Sequence, residues 1–487
     1  MPRQKRESQR IPAMDDFKDD SSFSEFLKRY PAYKSTGILD DLRRSEYARL
    51  DQLEQVYLDY TGGGLYSEEQ VRSHMDLLVE NVFGNPHSTN PTSMAMTRLV
   101  QSARESVLDF FHASPEEYIC IFTQNASAAL KLVGESYPFG PGDTYLLTFD
   151  NHNSVNGIRE FARSKGAVIH YSPVLPPEMR IDIEKLENFL EFKKSGGNNL
   201  FAFPAQSNFS GVQHSLEWIE RAHAKGWDVL LDGAAFVPTN CLDMSKVHPD
   251  FVSLSFYKIF GYPTGVGALI ARRQMMPRLH RPWFAGGTIT VASVQGDTYY
   301  LHKGAEGYED GTLNYLSLPA VEMGLRHISR IGYDVIHTRV TCLTGWLLDH
   351  LVALKHSNGL PVVKIYGPLD MRERGGTITL NFFDREGHFI DHMVVETLAS
   401  EKNISIRTGC FCNPGGGELA LGISADELNS CFALRPDMEY QDFRQCIDDK
   451  SNGAVRISVG LVSNFNDVQR FLDFAGEFID RNTSEIL

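Results

Sequence analysis

From Val56 onward the chain keeps one rhythm. Short runs rich in β-branched and aromatic residues alternate with amphipathic stretches long enough for helices. The runs at 118–123 (YICIFT), 144–148, 168–171, 200–204, 229–232, 251–255 and 267–271 predict seven strands. Helices are predicted from Ala126, over 155–164 and over 216–225, the last ending at Gly226, where a C-cap glycine belongs. This alternation constrains the fold more than any other feature. It implies an α/β architecture, a mostly parallel seven-stranded sheet between layers of helices. In such sheets ligands sit beyond the carboxyl ends of the strands, so chemistry is expected just after them.

The rhythm breaks near residues 304–315 (GAEGYEDGTLNY), and a helix is predicted over 317–330. Later residues hold fewer βαβ units, with strands predicted over 376–382 and 454–459. The expected organisation is a loose tail at 1–22, a helical segment at 23–55, a large domain at 56–325, and a smaller α+β domain at 326–487. The 23–55 segment, broken near Pro31, is expected to pack with the smaller domain.

The net charge is −15, so neither nucleic acid nor an anionic membrane is an expected partner. The basic stretch at 1–10 is short and fits a polar tail. Seven cysteines in 487 residues do not make a disulfide scaffold. No apolar run suits a transmembrane helix, and the N-terminus lacks the apolar core of a secretory signal. The cytosol is the expected compartment.

Three features lie at strand ends. The small residues of 124–129 (QNASAA) stand between a strand and a helix, where backbone N–H groups can face a phosphate. A plain capped turn fits equally well, and the Gly-Lys-Ser/Thr of a Walker loop is missing. Asp232 ends a buried strand and can pair with a cationic ring nitrogen, hold a metal, or cap a helix. Lys258 is flanked by apolar and aromatic residues. Desolvation there favours the free amine that Schiff-base chemistry needs, whereas a lysine at an edge would only snorkel. Phosphate cup, carboxylate and amine in this order are the parts of a pyridoxal phosphate site, and the triple is far more specific than any member.

The sequence resembles the class V, fold type I pyridoxal phosphate enzymes. Within them it is most similar to the N-terminal, cysteine desulfurase-like domain of eukaryotic molybdenum cofactor sulfurases. The resemblance rests on YLDYTGGGLYS (57–67), FGNPHS (83–88), FTQNASAALKLVGESYPF (122–139), NHNSVNGIRE (151–160), DFVSLSFYKIFGYPTGVGALIAR (250–272), YEDGTLNYLSLPA (308–320), IRTGCFCNPG (406–415) and VRISVGLVSN (455–464). It implies that Lys258 carries pyridoxal phosphate as a Schiff base and that Asp232 pairs with the ring nitrogen. His152 would stack on the ring and relay protons. Asn208 would bond the cofactor's phenolic oxygen or the substrate. Ala126, Ser127, Ser255 and Tyr257 would hold the phosphate, and Thr312 would reach that of a neighbouring subunit, which implies a homodimer. Arg456, with Arg407 second, would bind the substrate carboxylate.

Cys412 matches the desulfurase nucleophile, with Cys410 as its rival; a zinc site is not expected from Cys-x-Cys with no partner pair. Cys120, Cys241, Cys342, Cys431 and Cys446 read as small core or surface residues. Two departures stand out. The further domain with which sulfurases present the molybdenum cofactor is not expected within these residues, and Tyr60-Thr61-Gly62-Gly63-Gly64 replaces the usual His-Ala-Gly-Ala. The expected activity is a desulfurase that turns L-cysteine into alanine, with a persulfide on Cys412 and transfer to an acceptor protein. The alternatives are a C–S lyase, an epimerase or a decarboxylating enzyme on the same cofactor, and, least, a scaffold that only retains the fold.

Overall fold

The computed structural model describes residues 21–434 and 453–486. Most of the 1–22 tail, and Cys446, lie outside the described residues. The large sheet has seven strands: β1 (Tyr118–Thr123), β2 (Thr144–Thr148), β3 (Val168–Ser172), β4 (Leu200–Pro204), β5 (Asp228–Asp232), β6 (Phe251–Ser255) and β7 (Gly267–Arg272). Their order across the sheet is β1-β7-β6-β5-β4-β2-β3. β2 to β6 run parallel, while β7 is antiparallel to both of its neighbours. The reversal has a local cause. Only residues 256–266 join β6 to β7, too few for the dozen or more that a parallel crossover needs.

β1, β2, β4 and β6 are buried almost throughout, as expected of strands covered on both faces. Two apolar clusters lie on opposite sides of this sheet. Phe201, Phe203, Val229 and Leu231 belong to one, while Leu200, Ala202 and Leu230 belong to the other. The helix predicted over 155–164 is two helices, Asn153–Asn156 and Ile158–Ser164, that meet at Gly157. His152 caps the first, so helical geometry begins before the apolar pattern does.

A four-stranded antiparallel sheet follows, built from β8 (Val363–Tyr366), β9 (Thr377–Phe382), β10 (Arg407–Gly409) and β11 (Ala454–Ser458) in the order β8-β9-β11-β10. Residues 21–52 form helices, with a 3-10 turn at Pro31–Thr36 where the break was expected. They pack on the helices Tyr333–Ala353 and Phe465–Gly476. The Phe26 ring lies 5.4 Å from Trp346 and 5.0 Å from Phe465. Arg43 bridges Asp467 at 2.5 Å, and Arg339 bridges Asp40 at 2.7 Å. Val56–Tyr57 pairs in parallel with Ile404–Ser405, which carries the chain from this face towards the large sheet.

Cys120, Cys241, Cys342, Cys410 and Cys412 are free. Cys431 corrects the reading of it as a plain core or surface residue: it is buried and disulfide-bonded. Among the described residues no helix is long and apolar enough to cross a membrane.

Candidate active site

The helix Ala126–Ser136 starts directly beyond β1, capped by Asn125, whose side chain accepts from the Ala128 N–H at 2.9 Å. The Ala126 N–H donates to the Ser255 hydroxyl at 2.9 Å, which joins this turn to the end of β6. Ser127 is exposed and its Oγ lies 2.5 Å from that of Ser154. The turn is closely cradled, since a Cβ on Gly267 would stand 2.6 Å from the Asn125 backbone. The helix N-terminus and the Ser127 and Ser255 hydroxyls make a setting that fits a phosphate. Thr312, exposed, lines a cavity of about 350 Å³ with Gln124 and Ala128 of the same turn. Tyr257 lies one residue before Lys258, on the short helix that follows Ser255. A Cβ on Gly63 would lie 3.6 Å from its ring, and among the described residues no hydrogen bond ties it to the Ala126–Ser127 turn.

Lys258 lies on the short helix Phe256–Phe260 that continues β6. Gly261 ends it at a φ of 80°, and a Cβ there would stand 2.4 Å from the backbone of Leu65 and Tyr66. That close approach pins the 62–66 segment over the lysine turn. The Lys258 side chain is half-buried, and burial lowers its pKa, against the pull of Asp232. Arg456 and Arg407 lower it further. Asp232, at the end of β5, accepts from the Ser253 hydroxyl at 2.8 Å and the Ala234 N–H at 3.1 Å. These two donors hold the carboxylate in one orientation. The Ala234 contact is cap-like, although among the described residues no helix intervenes between β5 and β6.

His152 Nδ1 accepts from the Ser154 N–H at 3.1 Å, so in the neutral ring Nε2 carries the proton. Burial lowers its pKa; the Asp232 charge raises it, and Lys258 and Arg456 lower it.

The loop with both candidate cysteines docks on this histidine. The Asn153 N–H donates to the Cys412 carbonyl at 2.7 Å. Phe411 and Cys412 both have a positive φ, 55° and 54°, which side-chain-bearing residues rarely adopt. Asn413 holds that shape. Its Nδ2 donates to the Asp150 carbonyl at 2.7 Å and to Asn208 Oδ1 at 2.9 Å, while its Oδ1 accepts from Gly416 at 3.0 Å. Asn208 in turn donates to the Phe411 carbonyl at 2.8 Å. Both ends of the Asn208 amide therefore engage the cysteine loop, and sequence reasoning attached no role to Asn413. Cys410 and Cys412 are both exposed, and Cys412 lies near enough to Arg456 to raise its pKa slightly against burial.

Arg456 is buried in β11 with its guanidinium 4.7 Å from the Phe411 ring. Burial pulls its pKa down to about 10, which leaves it charged at neutral pH. Its Nη1 donates to the Asn208 carbonyl at 3.0 Å and its Nη2 to Asp59 at 3.1 Å. Arg407 donates to the other Asp59 oxygen from Nε at 2.9 Å and from Nη2 at 2.6 Å. The two expected carboxylate binders thus already share an internal carboxylate, and Asp59 had not been singled out. Among the described residues no group of three or more His, Cys, Asp or Glu converges as a metal site.

Lys258, Asp232, His152 and the arginine pair lie near enough to act on one another electrostatically, the constellation of enzymes that work on amino acids with a bound pyridoxal ring. The sequence profile of the class V aminotransferases matches residues 56–471, and the chain belongs to that family. It is similar to the molybdenum cofactor sulfurase of Solanum lycopersicum, 37% identical over 491 residues, covering 93% of this chain and 59% of that protein. The human molybdenum cofactor sulfurase is 38% identical over 466 residues, covering 90% of this chain and 51% of that protein. The chain thus spans a little over half the length of these relatives. Among solved structures, the apo cysteine desulfurase of Thermococcus onnurineus NA1 superposes with a TM-score of 0.73 at 24% identity, covering 90% of this chain and 98% of that one. An Escherichia coli cysteine desulfurase gives 0.70 at 19%, covering 91% and 99%. These likenesses show a fold type I architecture.

Proposed function

We propose that this chain is a pyridoxal phosphate-dependent cysteine desulfurase of the molybdenum cofactor sulfurase type. It takes L-cysteine, releases L-alanine, and holds the sulfur as a persulfide on Cys412 for an acceptor protein. The observation that carries the reading is the docking of the Cys412 carbonyl on Asn153, beside His152, in the cleft of Lys258 and Asp232.

The site fits the cofactor. Ala126, Ser127 and Ser255 would hold its phosphate, Asp232 its ring nitrogen, His152 its ring face, and Lys258 its aldehyde carbon. When bound, it supplies an electron sink next to the substrate's α-carbon. Lys258, whose pKa is lowered by burial, supplies an amine that accepts the α-proton. Asp232 is held in place by the Ser253 hydroxyl and the Ala234 N–H. His152 presents Nε2–H as a donor. Arg456 and Arg407 orient the substrate carboxylate. The Cys412 thiolate takes the substrate sulfur, and the carbon skeleton leaves as alanine.

Residues 56–325 would form the cofactor domain and 326–487 the smaller one, with the cytosol as working compartment. Thr312 would complete the site of a second copy in a homodimer. The test is a single turnover of the purified protein with L-cysteine, followed by mass spectrometry of the peptide holding Cys410 and Cys412. Alanine with an adduct of about 32 Da on Cys412 supports the reading. Sulfide and pyruvate with neither alanine nor an adduct turn it into a C–S lyase, and neither alanine nor sulfide from cofactor-loaded protein overturns both.

A further inference from the structure

Asp59 stands where the two arginines converge. One of its oxygens accepts from Arg407 Nε and Nη2, the other from Arg456 Nη2. The residue is buried and bridged to Ser458 through the backbone. The turn after it closes over the carboxylate. A Cβ on Gly62 would stand 2.5 Å from Asp59 Oδ2 and 2.8 Å from Arg407 Nη2. The Gly62 and Gly63 N–H groups both donate to Asp59's own carbonyl, at 3.0 and 3.1 Å. This carboxylate cannot swing aside without moving that turn. It is a fixed part of the pocket.

Two guanidinium groups facing one carboxylate leave a single positive charge in excess. Arg456 also keeps Nε buried with no hydrogen-bond partner among the described residues. A second substrate acid would enter with no countercharge left, and an unpaired buried charge is costly.

We propose that Asp59 is a specificity-determining residue. By matching one of the two arginines it sets the pocket for amino acids with a single carboxylate and turns away those with a second acidic group on the side chain. This rests on the reading that Arg456 and Arg407 receive the substrate carboxylate. It predicts preference by charge count, with discrimination built from a missing countercharge.

The test titrates cofactor-loaded protein with L-alanine and with L-aspartate, reading the shift of the cofactor's absorbance. Wild type, Asp59→Asn, Arg407→Gln and the double variant are compared. Wild type is expected to favour alanine. Asp59→Asn narrows that preference at least about tenfold, because a second charge becomes available to aspartate. Arg407→Gln weakens binding of both. The double variant returns the excess to a single charge and recovers the wild-type preference, which a merely structural role for Asp59 would not produce. If Asp59→Asn does not retain the cofactor, Asp59→Ser reads the same ratio. A ratio unchanged in the single variant, or not recovered in the double, overturns the role of Asp59 alone. A wild type that binds neither amino acid overturns the carboxylate-pocket reading, and this proposal with it.

Discussion

His152 carries two constraints at once. Its Nδ1 is committed to the Ser154 N–H, and its burial near Lys258 and Arg456 disfavours a positive ring. Its pKa in the folded chain lies below the ordinary 6.5. Between these two values the unfolded chain binds more protons, so stability falls as pH drops below 6.5 and levels off once the folded His152 is itself protonated. The same protonation adds a positive charge beside Lys258, and kcat/KM is expected to fall on the acid side over that window. His152→Gln should lower kcat about 10–100-fold and remove that acid limb. A pH–rate profile in which the glutamine variant keeps the limb would assign it to another group. Asp232 was legible in the sequence because it ends a buried strand, and Lys258 because apolar and aromatic residues flank it just after the next one, where an ionisable residue is conspicuous. Asp59 was not. Its partners Arg407 and Arg456 lie 348 and 397 residues away, and its own neighbours read as a strand and a turn.

The cysteine loop shows what an element adds that its residues do not. Two successive left-handed residues are strained unless the surroundings hold them, and here Asn413 and Asn208 do so from both sides. Asn413 also caps the helix Pro414–Leu421. Asn413→Ala is expected to cost about 1–2 kcal/mol of stability through the lost cap. It should also slow persulfide formation on Cys412 about tenfold while leaving the cofactor's absorbance in place, since Lys258 and Asp232 are untouched. Thermal unfolding and single-turnover mass spectrometry read the two effects separately; an unchanged rate at lower stability would leave Asn413 as a cap and no more. The motif RTGCFCNPG drew attention to its cysteines, whereas the asparagine's work depends on Asp150 and Asn208. Period-two and helical patterns likewise placed β1 to β7 but not the direction of β7, which the short β6–β7 connection decides.

At the scale of the whole molecule, the ends of the chain are tied together. Arg43 meets Asp51, Asp467 and the Val462 carbonyl, joining segments 424 residues apart in the interior. Arg43→Ala leaves Asp467 buried without its partner and is expected to cost about 3–5 kcal/mol, read as an earlier urea midpoint. The proposed homodimer also needs a surface for its second copy to cover. The hairpin formed by Ile289–Ser293 and Thr298–Leu301 exposes Val291, Val294, Tyr299 and Tyr300, and Phe284 packs on Tyr299 at 4.3 Å. In the proposed homodimer these exposed apolar side chains would be covered. Its base is joined to the Thr312 loop, because the Gly311 N–H donates to the Gly286 carbonyl at 2.9 Å. In the proposed homodimer, covering the hairpin and delivering Thr312 to the neighbouring phosphate would therefore be one geometric event. Replacing Val294 and Tyr300 together by Asp should shift the mass in light scattering from twice 54.7 kDa to 54.7 kDa. Cofactor affinity should fall with it, while Thr312→Ala alone should weaken cofactor binding without splitting the dimer. Monomeric wild-type protein with full cofactor affinity would show that each chain closes its own phosphate site, with Thr312 serving the cavity it lines beside Gln124.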